Sequence, residues 1–248
     1  MRISIPSELV DLLRNAQHVA VLTGAGISAE SGVPTFRDAQ TGLWAKYDPQ
    51  ELATPEAFRK NPRLVWEWYA WRRELVSKAE PNPGHQALAE LEKFVPQFTL
   101  ITQNIDSLHT RAGSQNVIEL HGNITRTKCA DEGHFVTTWE QQEEVPPRCP
   151  YCGSLLRPDV VWFGESLPYE ALKKALEAAQ KADFFLTVGT SALVQPAASI
   201  PLLAVERGVT TVEVNPQKTP LTSYMDFYLP GPAGEVLPVL VSAVLGAK

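Results

Sequence analysis

Five short apolar runs, each closed by glycine or by small polar residues, alternate with stretches of helical period along this chain. The first is Val19-Ala-Val-Leu22, followed by Gly24, Ala25 and Gly26 and then by the polar residues Ser28, Glu30 and Ser31. The others are Phe98 to Thr102, Asn116 to Leu120, Ala182 to Val188 and Thr210 to Val214. Unbroken apolar runs of this length suit strands buried on both faces, as in a parallel sheet. Helical patterns fill residues 7–16, 54–75, 85–94, 167–181, 196–207 and 234–245. Ser7 reads as an N-cap, and Thr54-Pro55-Glu56 and Asn61-Pro62 are further helix starts. Thr35 to about Pro49 reads as a loop, and Phe227 to Leu229 as a short strand. The alternation predicts an α/β fold with an open, mostly parallel sheet and helices on both faces.

In such sheets ligands bind beyond the carboxyl ends of the strands. The residues there are Gly24, Gln103-Asn104, His121-Gly122, Gly189-Thr190-Ser191 and Asn215-Pro216. A strand ending in small residues before a helix start suits phosphate, which backbone N–H groups and the helix dipole attract. The spacing is Gly24-x-Gly26-x5-Gly32, which departs from the Gly-x-Gly-x-x-Gly of dehydrogenases. About twenty residues on, Leu43-Trp-Ala-Lys46 offers no acid for an adenine ribose, which also disfavours a dehydrogenase. His121 suits a general base near neutral pH. Asn104 brings a donor and an acceptor, and Asp106 an acceptor.

A chain of 248 residues, 44% of them hydrophobic, can hold one large domain and a small one. The net charge is −6 with no basic block, which argues against nucleic acid as a partner. No apolar run is long enough for a bilayer, and Met1 to Pro6 lacks a signal-peptide core, so a cytoplasmic location is expected. Lys128 to Pro158 changes character, becoming rich in Cys, Pro, Glu and Gly, and reads as a small insert. Within it Cys149-x-x-Cys152, with Cys129 upstream, suggests a metal site.

Several blocks together resemble the sirtuin signature. They are Gly24-Ala-Gly-Ile-Ser28, Gly32-Val-Pro-Thr-Phe-Arg-Asp38, Thr102-Gln-Asn-Ile-Asp106, Leu120-His-Gly122, Val161-Trp-Phe-Gly-Glu165, Gly189-Thr-Ser191 and Val214-Asn215. The resemblance runs from about residue 18 to 235 and implies an NAD-dependent protein deacylase. It implies a Rossmann-like large domain and a small domain built of a zinc-ribbon-like insert and a helical insert. The implied boundaries are 1–34, 85–125 and 159–248 for the NAD-binding domain, 35–84 for the helical insert and 126–158 for the zinc insert.

By the same resemblance the turn Gly24, Ala25, Gly26 and Ser28 would hold the NAD pyrophosphate. Phe36 and Arg37 would lie over the nicotinamide ribose, and Ile105 and Asp106 would bind the carboxamide. Gln103 and Asn104 would face ribose hydroxyls, Asn104 also serving catalysis. Gly189, Thr190, Ser191, Asn215, Pro216, Gln217 and Ala233 would contact the adenosine half. In the family reaction the acyl oxygen attacks C1′ of the ribose and expels nicotinamide. His121 then takes a proton from a ribose hydroxyl, which attacks the O-alkylamidate, giving free lysine and an O-acyl-ADP-ribose. Val161, Trp162, Phe163 and Gly164 would pair with the peptide as an added strand.

Tyr69 and Arg72 are three apart on a predicted helix and share one face. Together they suit a carboxylate. Class III sirtuins, which remove succinyl and malonyl groups, carry a matching Tyr-x-x-Arg, and the small Ala53 would leave room for such a group. Sirtuins bind a structural zinc through two Cys-x-x-Cys pairs. Here Cys149 and Cys152 form one pair, but Glu132 stands where the partner of Cys129 would be. Glu132 or His134 is left as the fourth ligand, or the insert holds little or no zinc. A mono-ADP-ribosyltransferase and a non-catalytic NAD sensor are the alternative functions for the same crevice.

Overall fold

The computed structural model describes residues 3–34, 46–139 and 144–246. Its strands are β1 (His18–Thr23), β2 (Gln97–Thr102), β3 (Val117–Glu119), β4 (Gly122–Cys129), β5 (Leu156–Val160), β6 (Phe184–Val188), β7 (Thr210–Asn215) and β8 (Phe227–Pro230). Its α-helices are α1 (Ser7–Asn15), α2 (Gly26–Ala29), α3 (Pro49–Leu52), α4 (Pro55–Lys60), α5 (Pro62–Lys78), α6 (Pro83–Phe94), α7 (Leu108–Arg111), α8 (Tyr169–Lys181), α9 (Ile200–Glu206) and α10 (Ala233–Leu245).

Six strands form one sheet in the order β3-β2-β1-β6-β7-β8. Every pairing in it is parallel. The order reverses between β1 and β6, the switch point where such sheets open a crevice. Alternate residues of β1 serve opposite faces, as the pleat requires. Val19 and Val21 join a core with Leu9 and Leu13 of α1, Leu88 of α6 and Leu240 of α10. Ala20 and Leu22 join the opposite core with Ala175 and Ala179 of α8 and Ala204 of α9.

Beside the sheet, β4 and β5 form an antiparallel hairpin. A third core joins it to the helical segment: Leu52, Phe58, Val65, Trp68 and Tyr69 pack with Ile124, Val160 and Trp162. A smaller cluster of Cys129, Val136, Cys149 and Leu156 lies next to it, with Trp66 and Trp139 packed edge to face at 6.4 Å.

Local differences from expectation have plain causes. Ser7 is the first residue of α1, not its cap; Pro6 holds that position and no side chain caps the helix. Asp48 accepts from Gln50 N at 2.8 Å and Pro49 follows, so a short helix, α3, forms at the end of the expected loop. α6 starts two residues before His85, because Asn82 Oδ1 accepts from Gly84 N and His85 Nδ1 accepts in return from Asn82 N. Residues 197–199 form a 3₁₀ turn ahead of α9. No helix among the described residues is long and apolar enough to cross a membrane.

Candidate active site

The ends of β1 and β6 meet backbone to backbone. Gly24 N donates to Val188 O at 3.0 Å, and Gly26 N donates to Gly189 O at 2.7 Å. A Cβ on Gly26 would lie 2.7 Å from Gly189 O, and one on Gly189, whose φ is +59°, would lie 2.5 Å from Ile27 N. The glycines of the two turns are therefore required by each other. The helix beyond the first turn, α2, is four residues long, so few aligned peptide dipoles stand behind it.

Side chains stitch the remaining strand ends together. Asn104 Nδ2 donates to Gly24 O at 3.1 Å and to Ser28 Oγ at 3.0 Å. Gln103 Nε2 donates to Thr190 Oγ1 at 3.1 Å, and Asn215 Nδ2 donates to Thr190 O at 3.0 Å. Because His85 Nδ1 accepts from Asn82 N, its other nitrogen carries the proton and faces Ser28 Oγ at 3.3 Å. Ser28 thus accepts twice. Burial raises the Asp106 carboxyl above its usual range, opposed by bonds from Leu108 N and Ser28. Below this layer His109 Nε2 lies 2.9 Å from Thr23 Oγ1, which donates to Thr102 Oγ1, which in turn accepts from Asn104 N.

His121 is half-buried just after β3. Its Nδ1 is 2.8 Å from Gln103 O. A carbonyl only accepts, so Nδ1 carries the proton and Nε2 keeps its lone pair. Burial holds the imidazole below its ordinary pKa of 6.5, against the raising effect of the Gln103 bond.

Other assigned residues lie around this network. Ile105 O accepts from Ile124 N at 2.9 Å, linking the loop to β4. Ser191 is half-buried beyond β6. Pro216 and Gln217 are exposed after β7 and make no bond within the network. Ala233 opens α10, whose Gly234 N donates to Glu30 Oε2 at 2.6 Å. Phe36 and Arg37 lie outside the described residues.

On the hairpin side, Val161 N donates to His121 O at 2.9 Å and Phe163 N to Ala53 O at 2.8 Å. Ala53 is buried, and Trp162 stacks near Phe58 and Tyr69 at 5.1 and 6.4 Å between ring centroids. Tyr69 Oη and Trp162 Nε1 are buried without a hydrogen-bond partner among the described residues. Burial pushes the Tyr69 phenol up to about 12, against the pull of the Arg72 guanidinium, so it stays protonated. Arg72 lies over the Trp68 ring at 5.1 Å.

Cys129, His134 and Cys149 place their ligand atoms within 4.8 Å of one another. His134 Nε2 is 3.2 Å from Cys149 Sγ, and Cys152 Sγ is 3.5 Å from Cys129 Sγ. Glu132 is exposed, and only its backbone N approaches, donating to Cys129 Sγ at 3.4 Å.

The Sir2 family model matches residues 24–196. The chain belongs to the Sir2 family. An "NAD-dependent protein deacylase 2" of Pyrobaculum aerophilum is 54% identical over 236 residues, covering 95% of this chain and 94% of the relative. The crystal structure of a Sir2 homologue bound to NAD superposes with a TM-score of 0.91 at 49% identity, covering 98% of this chain and 95% of that one. A Sir2 complex with a p53 peptide and NAD superposes with a TM-score of 0.86 at 33% identity, covering 96% and 98%.

In this Sir2 protein the sequence reading missed the buried support of the crevice: His85, Asn82 and His109. Asn82-Pro-Gly-His85 is visible as a helix start, with histidine where Glu or Gln closes a capping box. Its bond to Ser28, 57 residues away, has no local signal.

Proposed function

We propose that this Sir2 protein is an NAD-dependent protein-lysine deacylase that accepts acidic acyl groups, succinyl or malonyl, as well as acetyl. NAD supplies the electrophilic ribose carbon C1′ and nicotinamide as its leaving group. The observation that carries the reading is His121: its Nδ1 proton is committed to Gln103 O, leaving Nε2 to take the proton of a ribose hydroxyl. Asn104, fixed by Gly24 O and Ser28 Oγ, orients the groups about that ribose. Ile105 and Asp106 receive the carboxamide, and Gly24, Ala25, Gly26 and Ser28 the pyrophosphate. Gly189, Thr190, Ser191, Asn215, Pro216, Gln217 and Ala233 line the adenosine half. The products are lysine and O-acyl-ADP-ribose.

Tyr69 supports the acidic-acyl reading. A buried hydroxyl with no partner among the described residues costs stability unless another group or water meets it. With Arg72 one turn away and the small Ala53 nearby, it suits an acyl carboxylate. Val161 to Gly164 pairs with the peptide carrying that lysine.

Cys129, Cys149, Cys152 and His134 would hold a zinc ion; three thiols and an imidazole suit its tetrahedral preference. Held there, the ion would cross-link the hairpin insert, residues 126–158, beside the helical insert, 35–84, and the NAD-binding remainder. Three free cysteines fit a reducing compartment, in keeping with work on acylated proteins in the cytoplasm.

The test is NAD-dependent turnover of paired peptides, one acetyl-lysine and one succinyl-lysine, with products weighed. Succinyl turnover giving O-succinyl-ADP-ribose is expected. Acetyl turnover alone would remove the acidic-acyl part; ADP-ribose attached to protein would replace the deacylase with a transferase.

A further inference from the structure

Arg157, in β5, is not among the residues assigned above, yet it makes three side-chain hydrogen bonds beside the proposed substrate segment. Nη1 donates to Glu165 Oε1 at 2.6 Å and Nη2 to Glu165 Oε2 at 2.8 Å. Nη2 also donates to Val160 O at 2.9 Å. The guanidinium lies 3.3 Å from the centroid of the Trp162 ring. Glu165 Oε2 accepts in turn from Trp162 N at 2.8 Å, and Glu165 N donates to Trp162 O at 3.0 Å.

These contacts close a loop. Val161 to Gly164 is anchored at its start by Val161 N on His121 O, and at its end by Glu165 on Arg157. Beside it lies a cleft of about 750 Å³, lined by Pro55, Phe58, Arg59, Leu155, Trp162 and Glu165 among others. Within the segment Phe163 N donates to Ala53 O and the Trp162 ring packs on Phe58 and Tyr69, and the ion pair fixes its far end. Both side chains are largely buried, 9% and 25% exposed, and the fork is bidentate, the arrangement that fixes geometry best.

We infer that Arg157 and Glu165 act as a clasp that presets the Val161–Gly164 segment for pairing with the substrate backbone, and that Arg157 is a positioning residue for peptide affinity. This rests on the reading of that segment as the peptide-pairing strand. A segment already held in its bound shape loses less conformational freedom when the peptide docks. Trp162 carries the same order to the acyl wall, since its ring stands between the guanidinium and Tyr69.

The experiment uses the full-length protein and a fluorescein-labelled peptide carrying one acetyl-lysine. Peptide affinity is read by anisotropy and NAD affinity by calorimetry, for wild type, Glu165→Gln, Arg157→Lys and Arg157→Met. Glu165→Gln keeps the acceptor for Trp162 N and tests the clasp if Arg157→Met does not fold. Peptide affinity is expected to fall about tenfold in Glu165→Gln while NAD affinity stays within about twofold. Arg157→Lys should recover part of what Arg157→Met loses. Unchanged peptide affinity, or equal losses for peptide and NAD, would overturn the clasp alone. Failure of the wild type to bind the peptide would overturn the strand-pairing reading and the clasp with it.

Discussion

The Nδ1 atom of His121 lies 2.8 Å from the carbonyl oxygen of Gln103, and this contact decides which ring nitrogen is basic. With Nδ1 protonated, Nε2 is the acceptor. Burial lowers the imidazole from 6.5, so the neutral form persists below that pH. Deacylation rate should rise with pH along a limb whose midpoint lies below 6.5 and then level off. His121→Ala should lose about 10²–10⁴-fold in turnover with the fold retained. A pH–rate profile of both proteins checks this; near-normal turnover in the variant would remove His121 as the base.

Arg72→Met should cost succinyl-lysine about 1.5–3 kcal/mol, roughly 10–150-fold in kcat/KM, because a charged hydrogen bond is lost. Acetyl-lysine, which presents no carboxylate, should change by no more than about twofold. Competition between the two peptides measures the ratio directly. Equal losses would dismiss the carboxylate clamp.

For the metal, His134→Ala and Glu132→Ala give opposite expectations. Removing a direct ligand should weaken zinc by more than the roughly 10–100-fold typical of an outer partner. Glu132→Ala should keep the wild-type zinc content, since its carboxylate is exposed and away from the thiols. Metal analysis of the purified proteins after mild chelation separates the two.

How much was legible depends on whether a feature is local. Buried parallel strands write continuous apolar runs, so β1, β2, β6 and β7 were visible, and with them the strand ends where Asn104, His121 and Thr190 gather. Which of Glu132 and His134 lies beside the thiols was not. Gly133, at φ +72°, folds the chain back so that Gly133 N donates to Cys129 O at 3.2 Å and Cys129 N donates to His134 O at 3.0 Å. That reversal sets His134 opposite Cys129 and leaves Glu132 at the tip, a choice that spacing alone does not make. Likewise, no pattern in β1 reveals that Gly26 must accommodate Gly189, because that contact spans most of the chain.

Stability should depend on pH through His85. Burial lowers its imidazole to about 4, from 6.5. Between those values the unfolded chain binds the proton and the folded one does not, so stability is full above 6.5 and falls as pH drops toward 4. The loss is about 3 kcal/mol for this one group. Urea midpoints from pH 7 to 4 should decline in the wild type and decline less steeply in His85→Gln, with His109, also held low by burial, supplying the remainder. Parallel curves would exclude His85 as a source.

Gly122, at φ +77°, lets the chain leave the main sheet and enter the hairpin so closely that a Cβ there would sit 2.3 Å from Asp159 O. One residue earlier, the carbonyl of His121 accepts from Val161 N while its ring holds Gln103 O. The residue proposed as the base and the segment proposed to pair with the peptide are therefore joined directly through one backbone hydrogen bond. Two hydrogen bonds from one residue, one through its carbonyl and one through its ring, thus tie the start of the Val161–Gly164 segment to the loop after β2.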